Sequence, residues 1–123
     1  MKFDTLSNKV IGCALEVHKE LGPGLLESTY EQCLVYELTQ AGISFKQQQP
    51  LAVMYKGLAI ECAYRIDLLI DESLILELKS VESLIPIHEA QLLTYMKLSN
   101  LKTGLLINFN VTLLKNGIRR FVL

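Results

Sequence analysis

The sequence predicts an α/β domain built on a mixed β-sheet, in the order helix, helix, three strands, helix, two strands. Three observations lead there. Apolar residues recur at helical spacing through the first third of the chain, they alternate from Phe45 onward, and a strand, a long helix and a second apolar strand then follow in succession.

Leu6, Val10, Cys13, Ala14, Val17 and Leu21 are spaced by threes and fours, which makes one face of a first helix that Ser7 or Asn8 can cap. Gly22-Pro23-Gly24 stops it. A second helix runs over about 26–41, with Leu26, Tyr30, Cys33, Leu34 and Leu38 on one side and Gly42 where a helix end accepts a left-handed residue. Alternation at Leu51, Val53 and Tyr55, a turn at Lys56-Gly57 and an extended stretch over 58–70 give the first two strands. The turn Asp71-Glu72-Ser73 leads into the third, over 74–79. Pro86 suits the first turn of a helix over 87–98, and Gly104-Leu105-Leu106-Ile107 is a buried strand. A strand-helix-strand unit requires a crossover with its strands parallel, whereas the earlier strands are joined by tight antiparallel turns, so the sheet is mixed. Asn116-Gly117 marks a hairpin between 112–114 and the closing strand 118–123.

The 123 residues fit a single domain over 1–123, and 50% hydrophobic content supplies a core. Twelve basic against thirteen acidic residues leave a net charge of -1, which excludes a bulk positive field that would draw the chain to nucleic acid or to an anionic membrane. Cys13, Cys33 and Cys62 form neither a CxxC pair nor a zinc-ligand pattern, and the reducing cytoplasm is the expected location. No apolar run approaches the roughly 18 residues of a membrane span.

The informative residues are charges inside apolar strands. A three-residue turn at 71–73 pairs Ile70 with Leu74, sets Asp67 across from Glu77 and Arg65 across from Lys79, and puts all four on one face. Opposed carboxylates at that spacing repel by on the order of 3 kcal/mol at an effective dielectric near 20. Either Lys79 and Arg65 offset this as an internal ion network, or a divalent cation sits between the acids, with Lys79 beside its water and a bound phosphate. The second arrangement suits metal-assisted phosphodiester hydrolysis.

Asp67 followed by Glu77-Leu78-Lys79 resembles the D…(D/E)XK signature of the PD-(D/E)XK nuclease superfamily, with Ile66 in place of the proline, and Gln91 with Tyr95 resembles the QxxxY element of RecB-type nucleases. Over nearly the whole chain the sequence also resembles the GxxExxY family assigned to that superfamily, through Gly24-Leu25-Leu26-Glu27-Ser28-Thr29-Tyr30 and the blocks around Glu77, His88 to Tyr95, and Gly104 to Phe109. The resemblance implies a restriction-endonuclease-like core, a mixed sheet of at least four strands flanked by helices. It makes Asp67, Glu77 and the carbonyl of Leu78 ligands of Mg²⁺ or Mn²⁺. Lys79 then positions water or stabilises the transition state, and Gln91 and Tyr95 face the metal pocket. Glu27 is either an upstream acid completing the site or a carboxylate favoured by its helix dipole, with Glu31 on the same face. His18 is either a further ligand or a structural histidine, His88 is a similar case, and Tyr30 belongs to the core.

The leading expectation is therefore a metal-dependent nuclease, acting on DNA ahead of RNA. The alternatives are a binding or assembly module that keeps the fold, and a hydrolase of small phosphodiesters. Nucleic-acid contacts are expected from Arg65 and from a carboxy-terminal patch of Lys115, Arg119 and Arg120. So small a basic surface suggests a homodimer or a partner protein that delivers the substrate.

Overall fold

The structure, a computed structural model, describes residues 3–61 and 64–123. Cys62 lies outside the described residues. Helices α1 (Thr5–Leu21) and α2 (Glu27–Gln40) open the chain, followed by β1 (Phe45–Pro50), β2 (Val53–Tyr55), β3 (Leu58–Ile60), β4 (Arg65–Ile70) and β5 (Leu74–Lys79). Helix α3 (Pro86–Ser99), β6 (Thr103–Asn108), a short 3₁₀ turn and β7 (Ile118–Val122) complete it.

Five strands form one sheet in the order β1-β4-β5-β6-β7. Only β5 and β6 are parallel, joined through α3, and the other three pairings are antiparallel, so the expected mixed sheet is present. On one face α1 and α2 bury Val10, Ala14, Leu34 and Leu38 against Leu68, Leu76 and Leu105. On the other, α3 buries Leu92 and Met96 against Ile75 and Leu106. The approach of α3 is close at Gly104, where an added Cβ would lie 2.7 Å from the Met96 sulfur.

Local chemistry accounts for the element ends. Asp4, one turn before Ser7 and Asn8, caps α1 by accepting from the Ser7 N–H at 2.8 Å and the Ser7 hydroxyl at 3.0 Å. Beyond α1, the Tyr30 hydroxyl donates to the Gly22 carbonyl and accepts from the Leu25 N–H, while its ring stacks 4.5 Å from Phe109. Tyr30 is thus a core residue that fixes the Gly-Pro-Gly loop.

Two expectations are corrected. The stretch 45–70 divides into four short strands, because β2 and β3 leave the main sheet to form a separate hairpin whose residues are almost all exposed. A turn at Lys56-Gly57, both in the left-handed region, closes that hairpin. Asn116-Gly117 also lies outside any two-residue hairpin: residues Leu114–Gly117 form the 3₁₀ turn, and β7 pairs directly with β6. Gly117 is required there for space, since a Cβ would lie 2.2 Å from the Asn108 carbonyl oxygen.

Candidate active site

Strands β4 and β5 pair regularly from the turn as far as Leu68 and Leu76. There the backbone ladder gives way to side chains. The Leu78 N–H donates to Asp67 Oδ2 at 2.8 Å, and the Asp67 N–H donates to Glu77 Oε1 at 3.3 Å. Each acid therefore takes a backbone donor of the opposite strand, which holds the two carboxylates together and opens the end of the hairpin. Strand alternation also breaks at Asp67. Ile66 joins the α3-side core, whereas Leu68 and Ile70, which would share its face on a regular strand, belong to the α1/α2-side core.

Glu77 is only 6% exposed. Burial, then the charge of Asp67 and a side-chain hydrogen bond with it, push the Glu77 carboxyl up to about 9, against the smaller opposing effects of the Asp67 N–H and the Lys79 charge. At neutral pH Glu77 therefore keeps its proton. The arrangement resolves the repulsion expected of opposed carboxylates by keeping Glu77 neutral.

The surroundings extend this pair in two directions. Gln48, at the left-handed φ of 51°, donates to Glu31 Oε1 at 2.9 Å and to Asp67 Oδ1 at 3.4 Å, while Gln47 donates to Glu31 Oε2 at 2.7 Å. The unusual backbone of Gln48 lets neighbouring strand residues reach one carboxylate. On the other side, the Gln91 amide donates to the Tyr95 hydroxyl at 3.0 Å, and Tyr95 is close enough to Glu77 and Asp67 for their charges to act on its hydroxyl. Burial is the larger cause of the raised Tyr95 pKa. Lys79, one turn of the strand pleat from Glu77, is anchored through its carbonyl, which accepts from the Phe109 N–H at 2.9 Å. Asn108, almost fully buried, accepts from the Val81 N–H and donates to its carbonyl, both at 3.0 Å, which ties down the chain leaving Lys79.

A family comparison matches the PD-(D/E)XK nuclease superfamily over residues 4–121. The chain belongs to that superfamily. No curated protein and no solved structure matches it.

PD-(D/E)XK nucleases generally use divalent metals. The donor set fits such an ion in part. Asp67 and Glu77 supply two hard oxygen donors held within hydrogen-bonding reach of one another, and the proton between them is what an ion would replace. Strand alternation turns the Leu78 carbonyl towards β4, away from the β6 edge where the Lys79 carbonyl is engaged. Among the described residues no group of three or more His, Cys, Asp or Glu is gathered to hold a metal, so the structure does not bring a third acid or a histidine to the pair.

Three sequence-predicted groups are accordingly placed elsewhere. His18 is buried, with Nε2 2.7 Å from the Val111 carbonyl and its ring near Phe109, which is a structural engagement. Glu27 is exposed in the first turn of α2, and the acid of that helix linked to the pair is Glu31, through Gln48. His88 closes the start of α3 by accepting at Nδ1 from the Ile85 N–H.

The basic residues are also redistributed. Arg65 does not face Lys79: its guanidinium donates to the Gln48 carbonyl at 3.2 Å, on the β1 side of β4. The carboxy-terminal patch is divided, because Arg119 and Arg120 are successive residues of β7 and so point to opposite faces. Arg119 lies 3.9 Å from Glu89 of α3, whereas Arg120 pairs with Asp4 at 2.7 Å and stacks over Phe3. Lys115, on the 3₁₀ turn, stays exposed. The residues that sequence reasoning missed are Gln47 and Gln48, whose role depends on a left-handed backbone that a run of glutamines does not announce.

Proposed function

We propose that this member of the PD-(D/E)XK superfamily is a divalent-metal-dependent nuclease that hydrolyses phosphodiester bonds of DNA in preference to RNA. The observation that carries the reading is the pair of Asp67 and Glu77 at the opened end of the β4–β5 hairpin, each bonded to the backbone of the opposite strand, with Lys79 beside it. Asp67, Glu77 and the Leu78 carbonyl would hold Mg²⁺ or Mn²⁺, which when bound supplies Lewis acidity and a more acidic water.

The protein's own groups do the rest. Lys79 holds the attacking water or the charge that develops on the phosphoryl oxygens. Gln91 and Tyr95, already hydrogen-bonded to one another, offer an amide and a hydroxyl at the edge of the pair. The bridge from Glu31 through Gln48 orients Asp67 and takes the upstream role considered for Glu27. The exposed cations are scattered rather than gathered at the pair, Arg65 and Lys115 among them, and support modest and salt-sensitive substrate binding unless a second copy or a partner adds charge. We place this activity in the cytoplasm, where Cys13 and Cys33, both free, stay reduced.

The test is calorimetric titration of Mn²⁺ and Mg²⁺ into wild-type protein and the Asp67→Ala and Glu77→Ala variants, followed by incubation with labelled single- and double-stranded DNA. Binding and cleavage by the wild type, lost in both folded variants, is the expected result. Absence of metal binding by the wild type with DNA present would overturn the reading and leave a binding module on the nuclease fold.

A further inference from the structure

Tyr95 does more than border the carboxylate pair. It also forms one wall of a groove of about 460 Å³ that runs along α3 to the detached β2–β3 hairpin, lined by Val53, Tyr64, Ile87, Gln91 and Leu98 among others. The Tyr64 ring is half exposed and lies 6.3 Å from that of Tyr95, tilted by 57°. At the hairpin tip the Lys56 ammonium sits 5.4 Å from the centre of the exposed Tyr55 ring. Among the described residues no lysine or arginine lines the groove.

That chemistry is the wrong kind for the backbone of a duplex. A surface that follows two phosphate strands presents cations at regular intervals, and this one presents aliphatic side chains, two tyrosines, one threonine and one amide. Two of its polar groups, the Gln91 amide and the Tyr95 hydroxyl, are hydrogen-bonded to each other, and Tyr95 lies near the carboxylates. A flat apolar ligand carrying a phosphate at one end matches that polarity. In a nucleic acid the matching unit is a nucleobase whose face has been freed from its stack, with the adjoining phosphodiester at Asp67 and Glu77.

We propose that the groove is a stacking site for an unpaired nucleobase next to the scissile phosphate, with Tyr64 as the principal stacking surface, and that the protein therefore selects single-stranded or frayed nucleic acid over continuous duplex. The inference rests on the nuclease reading for its substrate class. Every base offers a π-face, so the site is tolerant of sequence. Lys56, held over the Tyr55 ring, gives the strand leaving the groove a phosphate contact.

The experiment is fluorescence anisotropy in chelator, with a labelled single-stranded oligonucleotide and the same sequence as a blunt duplex, on wild type, Tyr64→Ala and Tyr64→Phe. Wild type is expected to bind the single strand about tenfold or more tightly than the duplex. Tyr64→Ala should lose roughly tenfold in single-strand affinity, the effect of removing one stacked base, with duplex affinity unchanged, and Tyr64→Phe should keep it. Because the chain has no tryptophan, Tyr64→Trp adds a second readout that avoids truncation: its fluorescence should be quenched by the single strand and not by the duplex. Equal or tighter duplex binding, no binding of either form, or equal losses on both forms in Tyr64→Ala would overturn the proposal. Since no metal is present, failure of the nuclease reading, seen as absent Mn²⁺ binding, is distinguished from failure of the groove.

Discussion

The two ends of the β4–β5 hairpin are made from the same two strands and behave differently. At the turn end Leu68, Leu69 and Ile70 face Leu76, Ile75 and Leu74 in a regular antiparallel ladder, buried between the helices of both faces. At the open end Asp67 and Glu77 replace that ladder with carboxylate-to-backbone bonds, and one of them keeps a proton. The difference teaches that the strands are held together by their apolar end. At the open end the acids are accommodated by bonds to the backbone of the opposite strand.

The largest effect expected from breaking this contrast is at the closed end. Leu76→Ala, which removes a fully buried side chain between Leu68 and Leu105, should cost about 2–5 kcal/mol in denaturant unfolding. A smaller loss is expected on the α3 face, where Gly104→Ala drives a Cβ towards the Met96 sulfur and Leu92. Movement of the flexible Met96 side chain should hold the cost to about 1–3 kcal/mol.

At the open end the expected sign reverses. Between pH 4.5 and about 9 the native chain retains the Glu77 proton that the unfolded chain has released, so the metal-free protein should lose stability as pH rises through that window. The Glu77 contribution is up to about 1.4 kcal/mol per pH unit. Glu77→Gln should flatten that slope and match or exceed wild type at alkaline pH in unfolding measured across the window.

The smallest effect sharpens the comparison from outside the hairpin. Asp4 also accepts a backbone N–H, but beside Arg120 and without a second acid, and its carboxyl is held below the ordinary 3.8, first by the Ser7 N–H. Its stabilisation is present above that value and lost as pH falls through the lowered one, the opposite dependence to that of Glu77. Asp4→Ala should cost about 1 kcal/mol in thermal or denaturant unfolding at neutral pH.

The same contrast separates what could be read in the sequence from what could not. The register was legible because Asp71-Glu72-Ser73 is a short turn between two apolar runs, and Ile70 does pair with Leu74. The α3 crossover was legible because Pro86 and Gly104 bracket a helix between buried strands. Period-two reasoning assumes that alternation continues, however, and it stops at Asp67, so Arg65 was assigned to a face it does not share with Lys79. The cluster Lys115, Arg119 and Arg120 looked like one patch in sequence, but successive strand residues oppose each other and each arginine met an acid. The turn at Lys56-Gly57 is legible, but the apolar stretch 58–70 reads as one strand, whereas β3 pairs only with β2 in a hairpin whose residues are nearly all exposed and the main sheet resumes at β4.

The central claim is that the proton kept by Glu77 beside Asp67 occupies the place of a divalent ion. It is tested most directly by titrating Mn²⁺ into the protein calorimetrically, in buffers of different ionisation enthalpy and at several pH values. The account predicts release of about one proton per ion bound and an affinity that rises with pH below about 9, with both lost in Glu77→Gln. Mn²⁺ binding without proton release, or binding undiminished in Glu77→Gln, would contradict it.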